Sequence, residues 1–124
     1  MADTKKGKRF WGCPHWDVLH CAGATYDGSL MAQQGFNELL SAYTKLLPCK
    51  ECRGHFMENI IAIPPSAYME DNHSLFFWTY LIHDKVNESH NIYHKDEPPK
   101  VSPPYEEVKS KYFIPLGLEC SSCH

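Results

Sequence analysis

A chain of 124 residues has room for one hydrophobic core and not two. Its composition, 43% hydrophobic and 22% charged, excludes a disordered or fibrous chain, and its net charge of −3 excludes the basic field of a nucleic-acid binder. The longest apolar run, Leu75 to Ile82, is far short of the ~20 residues that cross a bilayer, so no membrane span is expected.

The basic start, with Lys5, Lys6, Lys8 and Arg9, leads straight into Phe10-Trp11-Gly12-Cys13-Pro14-His15 and not into a secretory apolar segment. This predicts a cytoplasmic protein with a disordered tail over residues 1–9. A first helix fits Pro14 to about Ala24, with Trp16, Leu19, His20 and Gly23 on one face. Asp27-Gly28-Ser29 is a turn that ends in a capping serine. A second helix is expected from about Leu30 to Leu47, on the recurrence of Phe36, Leu39, Leu40, Tyr43, Leu46 and Leu47.

Pro48 interrupts that pattern, and a third helix is predicted to start at Cys49, carry Cys52, Phe56, Ile60 and Ile61, and end at Pro64-Pro65. Asp71 or Asn72 can cap a fourth helix to about Asn91, with Leu75, Trp78, Ile82 and Val86 as its inner stripe. The proline-rich stretch from Asp96 to Pro104 reads as a loop, Glu106 to Lys111 as a last short helix, and 114–124 as a flexible tail. The fold class is all-α: a four-helix bundle with a short fifth helix over residues 10–113.

Six cysteines and eight histidines are many for a leaderless chain, because paired cysteines in a reducing compartment are usually metal ligands or redox groups. Pro48-Cys49-Lys50-Glu51-Cys52 places two sulfurs at the first turn of a helix. Unpaired backbone N–H groups and the positive dipole end favour a thiolate there, so the pair suits a reactive disulfide. The alternative is half of a zinc site. Cys120-Ser121-Ser122-Cys123 near the chain end suits a carrier that shuttles a disulfide between two places; with His124 it also matches the haem-attachment string. Trp16 and His20 are i,i+4 neighbours, and His83, Asn87 and His90 share a face of the fourth helix. Such a polar ladder is satisfied either by core packing or by a flat heteroaromatic ligand.

Cys13 and Cys21, if both lie in one helix, are ~12 Å apart and too far for a disulfide with each other. Cys21 reads as a buried small hydrophobe, and Cys13 as a candidate for an intersubunit bond. Three function classes fit these residues. They are a thiol oxidase, a zinc-stabilised helical interaction module using the Cys-x-x-Cys pairs as ligands, and a helical adaptor whose cysteines are incidental.

From Trp11 to about Asn91 the chain resembles the ERV/ALR FAD-linked sulfhydryl oxidases, through three motifs in order. They are Trp11-Gly12 with Trp16, Leu19 and His20; Pro48-Cys49-Lys50-Glu51-Cys52-Arg53-Gly54-His55-Phe56; and His83-Asp84-Lys85-Val86-Asn87. The Trp-Gly start is similar to the short forms encoded by large cytoplasmic DNA viruses of the iridovirus kind, which places the protein in the host cytoplasm or virion.

The resemblance implies FAD at one end of the bundle and no metal. Trp16, His20, His83 and Asn87 would surround the cofactor, with His55 and Phe56 beside it and Gly12, Val86, His90 and Lys95 completing the cofactor-binding set. Cys52 would lie against the isoalloxazine and Cys49 would face outward, with Cys120 and Cys123 as the shuttle. A protein dithiol, of thioredoxin-like type, would be the substrate and O2 the acceptor, with H2O2 as product, in a homodimer. The chain departs from the family pattern at Asp84, where Asn is usual, and in lacking the Lys-Pro after Asn87, for which Lys95 is the nearest substitute. No cysteine between Cys52 and Cys120 is available for a further disulfide.

Overall fold

The computed structural model describes residues 4–119, with side chains from Pro14 onward. Five α-helices run in chain order: α1 (Thr4–Ala24), α2 (Leu30–Leu46), α3 (Lys50–Ala62), α4 (Asn72–Tyr93) and α5 (Tyr105–Phe113), with a short 3-10 turn at Pro65–Tyr68. No strand occurs among the described residues, and no helix there is long and apolar enough to cross a membrane. The all-α class expected from the sequence is the class observed.

The helix starts follow local chemistry. Ser29 Oγ accepts from the Ala32 N–H at 3.0 Å, and Asp71 Oδ1 accepts from the Ser74 N–H at 2.8 Å. Each side chain satisfies one of the donors a helix start leaves open, an effect of about 1 kcal/mol. Gly28 precedes Ser29 with φ of 80°, a left-handed conformation that favours glycine.

α1 departs from expectation. Its backbone is helical from Thr4, so the first turns overlap the tail expected over residues 1–9, and Pro14 lies inside the helix. Proline suits a first turn, but it also tolerates a helix that continues upstream at the loss of one backbone hydrogen bond. The turn at Pro65–Tyr68 is a second difference, since the double proline ends α3 yet starts a short helix of its own.

α4 is the centre of the packing, against α1, α3 and α5. Leu75, Trp78 and Ile82 are completely buried and join Leu19, Phe36, Leu40, Leu47 and Phe56 in the main core. Each such side chain contributes roughly 1.5–3 kcal/mol through removal from water. The Trp78 indole N–H donates to the Ile63 carbonyl at 2.8 Å, which ties the end of α3 to α4. A smaller cluster of Ala24, Phe76 and Phe113 seats α5 against α1 and α4. The α1–α4 crossing is close at Gly23, where a Cβ would come within 3.0 Å of Thr79 Cγ2 and 3.2 Å of the Phe76 backbone. Two residues expected on inner faces, Leu46 and Ile61, are instead exposed, at 75% and 72%.

Candidate redox and cofactor site

The third helix starts on sulfur. Cys49 is the N-cap of α3, and its Sγ accepts from the Cys52 backbone N–H at 3.3 Å. Both cysteines are half-buried. The loop before them is fixed by Arg53, whose guanidinium reaches back to donate to the Leu47 carbonyl at 2.6 Å. The helix therefore holds its own entry turn and, with it, Cys49.

One helical turn beyond Cys52, Phe56 is buried in an aromatic cluster. Its ring is 6.5 Å from Trp16, 5.9 Å from His15 and 6.0 Å from Tyr43. Trp16 in turn stacks on His83, with ring centroids 3.9 Å apart and planes within 6°. The spacing of 16 and 20 on α1 brings His20 into the same group, 5.9 Å from Trp16.

The hydrogen bonds fix the protons in this group. Thr79 Oγ1 donates its hydrogen to the Phe76 carbonyl at 2.6 Å, so it can only accept from His20 Nδ1 at 2.8 Å. His20 Nε2, 3.2 Å from His83 Nδ1, is then the acceptor, and His83 Nδ1 carries the hydrogen. The lone pair of His83 Nε2 is left to accept from a donor.

The chain requires uncharged rings, and the surroundings supply them. Burial, reinforced by the charge of His83, lowers the His20 pKa to about 3. Burial and Lys100 lower His83 to about 4, and burial and His83 do the same for His15. The three imidazoles are thus held neutral among aromatic neighbours.

Below His83, α4 carries a polar ladder. Asn87 Nδ2 donates to Ser102 Oγ at 3.1 Å, and Ser102 donates to Asp84 Oδ1 at 2.7 Å. Asn91 exchanges two hydrogen bonds with the Lys100 backbone, at 2.8 and 2.7 Å. The segment after α4 is thereby laid back along the helix. Asp84, a departure from the family pattern, is the anchor for Ser102. The side chain of Asn59, on the same face of α3 as Cys52 and Phe56, is buried, and its Nδ2 has no hydrogen-bond partner among the described residues.

The expected site residues are only partly brought together. Trp16, His20, Phe56 and His83 come together. His55 stacks on Tyr93 at 5.1 Å and Val86 is half-buried on α4. His90 does not extend the His83 group; it joins His94 and Glu97 beyond it. Lys95 is exposed, whereas Lys100 and, more weakly, Lys111 are the lysines whose charges act on His83. Gly12 and Cys13 fall where only the α1 backbone is described; both Cys13 and Cys21 lie in α1. Cys21 is half-buried, and burial with the nearby Asp17 pushes its thiol pKa up. Cys120 and Cys123 lie outside the described residues.

Sequence reasoning missed His15, Thr79, Ser102 and Lys100. Only His15 had a legible signal, since it precedes Trp16 and follows a helix-compatible proline. Among the described residues neither Cys49 nor Cys52 belongs to a group of three metal-type ligands, while Cys120 and Cys123, the other pair of the zinc alternative, lie outside them.

Comparison with known proteins places this geometry. The Erv1/Alr family model matches residues 13–106. A protein of Invertebrate iridescent virus 3, whose name marks it as an inferred FAD-linked sulfhydryl oxidase, is 30% identical over 81 residues, covering 64% of this chain and 55% of that one. The FAD-linked sulfhydryl oxidase of Arabidopsis thaliana is 32% identical over 76 residues, 60% of this chain and 39% of the plant protein. That of Oryza sativa subsp. japonica is 34% identical over 76 residues, 60% of this chain and 38% of its own. The chain thus spans about half, or less, of the length of these curated relatives. No solved structure matches it. With the family match taking in both cysteines and the whole Trp16–His20–His83 group, the chain belongs to the Erv1/Alr family.

Proposed function

We propose that this protein is an FAD-dependent thiol oxidase that forms disulfide bonds in protein dithiols, with O2 as acceptor and H2O2 as product. The observation that carries the reading is the start of α3, where a Cys-x-x-Cys pair caps the helix one turn before Phe56 enters the Trp16–His83 cluster. The names of the plant and viral relatives support it.

The donor set fits FAD. Trp16, His83 and Phe56 offer aromatic rings beside an isoalloxazine, His83 Nε2 is the open acceptor of the histidine chain, His20 holds His83 in that tautomer, and Asn87 and the buried Asn59 carboxamide offer polar contacts. Lys100 is a cation for the phosphates in place of the missing family lysine. When bound, FAD accepts two electrons from a dithiol and delivers them to O2.

The residues of the chain do the exchange. A substrate thiolate attacks Cys49 of the oxidised pair, which forms a mixed disulfide and releases Cys52 as the leaving thiolate. The second substrate thiol then attacks the substrate sulfur of that bond. The substrate leaves as a disulfide, and two electrons stay on the Cys49–Cys52 dithiol. The Cys52 N–H, which bonds to Cys49 Sγ, would receive the charge left on that sulfur as the substrate disulfide departs. Cys120 and Cys123 would relay the oxidation to a thioredoxin-like partner, and a homodimer with Cys13 near its interface would complete the assembly. Similarity to an iridescent-virus protein favours a viral source and hence the host cytoplasm or virion.

The test is an absorbance spectrum of the purified protein coupled to oxygen uptake on a small dithiol. Yellow protein that consumes O2, and a Cys52→Ser variant that keeps its flavin but loses turnover, is the expected result. Retained turnover in Cys52→Ser, or colourless protein holding zinc at its cysteines, would reject the reading.

A further inference from the structure

The end of α4 gathers a second set of chemically active side chains. His90, His94 and Glu97 present ligand-type atoms that all lie within 4.8 Å of one another. Glu97 Oε2 is the hub, 3.4 Å from His90 Nε2 and 3.6 Å from His94 Nδ1. We infer that this is a binding site for a divalent transition-metal ion, zinc being the best fit.

Three properties of the cluster carry the inference. The first is spacing. Both separations exceed the 2.7–3.2 Å of an ordinary N–H···O bond. These two are close to the edge of a tetrahedron of N and O ligands around zinc, about 3.3 Å for metal–ligand distances near 2.05 Å, and the third edge, within 4.8 Å, closes by a small rotation of the His94 ring. The second is preorganisation. His94 is the C-cap of α4, its N–H donating to the His90 carbonyl at 2.8 Å, and the Glu97 N–H donates to the His94 carbonyl at 3.1 Å. Two consecutive backbone bonds therefore fix the relative position of all three residues. The imidazoles, four residues apart, stack at 4.9 Å. The third is shielding, with His90 and Glu97 side chains only 17% and 13% exposed.

The donor chemistry selects the ion. Two imidazoles and one carboxylate suit zinc, whereas calcium and magnesium prefer all-oxygen sets. Three protein ligands leave a fourth position for water or another ligand. A bound ion would tie the end of α4 to the segment that carries Lys100 and Ser102 back onto Asn91 and Asn87. The rival account is a metal-free ion pair between one carboxylate and two imidazolium rings.

The inference does not depend on the oxidase reading, and its test is separate. The purified full chain, with cysteines oxidised so that thiols take up no metal, is titrated with Zn2+ by calorimetry and with Co2+ by visible absorption. One saturable ion per chain is expected, with a cobalt spectrum free of sulfur charge-transfer bands. His94→Ala and Glu97→Gln should each weaken zinc affinity roughly 100-fold or more. Circular dichroism confirms that each variant folds, and if one does not, the other decides. No saturable binding in the parent chain, sulfur bands in the cobalt spectrum, or unchanged affinity in a folded variant would overturn the inference.

Discussion

The two halves of α4 differ in kind. The first half, with Leu75, Phe76, Trp78, Thr79 and Ile82, is sealed from water and packed on α1, α3 and α5. The second half, from His83 through Asn87 to Asn91, carries imidazoles and carboxamides bonded to His20 of α1 and to the returning loop. One helix thus divides its labour along its length. The sealed half can fix positions within a fraction of an ångström because close packing resists shear. The polar half can use that precision because it does not have to hold the fold together.

The division can be broken from the stable side. Trp78→Ala should cost about 3–5 kcal/mol, since it removes the largest core side chain and leaves the Ile63 carbonyl without its indole donor. Urea unfolding measures it, and a loss below about 1 kcal/mol would show that the first half of α4 is not the fold's anchor.

Acid should act where the other half of α4, at His83, meets His15 and His20 of α1. His15, His20 and His83 have folded pKa values of about 4, 3 and 4, below the unfolded value of 6.5. Between those values the unfolded chain binds more protons, so stability is full above 6.5 and falls as pH drops toward 4. Burial acts first in each case, with Lys100, Lys111 and the neighbouring histidines adding to it and Asp84 opposing it at His83. A loss on the order of a few kcal/mol between pH 6.5 and about 5 is expected, before most carboxylates titrate. Unfolding curves that are flat over this range would mean the three rings accept protons in place.

The smallest effect sharpens the comparison. Ser102→Ala removes the bridge between Asn87 and Asp84, on a partly exposed surface, and should cost about 1 kcal/mol or less in stability. It should instead weaken flavin retention, read by dialysis and absorbance. An equal loss in stability and no change in retention would place Ser102 in the scaffold and not in the site.

Much of the scaffold was legible because its signals are local. Ser29 and Asp71 are caps that announce helices, and the stripe of Leu75, Trp78 and Ile82 repeats at helical spacing. Trp16, His20 and His83 were found the same way. What escaped is what local signals do not encode. Pro14 reads as a helix start and yet lies within one, because its preference for a first turn says nothing about the residues before it. Thr79 looks like a core threonine until His20 from another helix meets it. Ser102 and Lys100 sit in a proline-rich loop, and only the return of that loop along α4 gives them a role. His90 shares a helix face with His83, but it lies two turns farther on, where its partners are His94 and Glu97.

The cap of α3 has one more consequence. Cys49 anchors the first turn with the same atom that the proposed reaction would oxidise and reduce. A sulfur bearing charge is a strong acceptor for the Cys52 amide, and a sulfur in a disulfide is a weak one. Each turnover of the proposed reaction would therefore tighten and slacken the backbone at residue 52, and the amide there would be a built-in reporter of oxidation state.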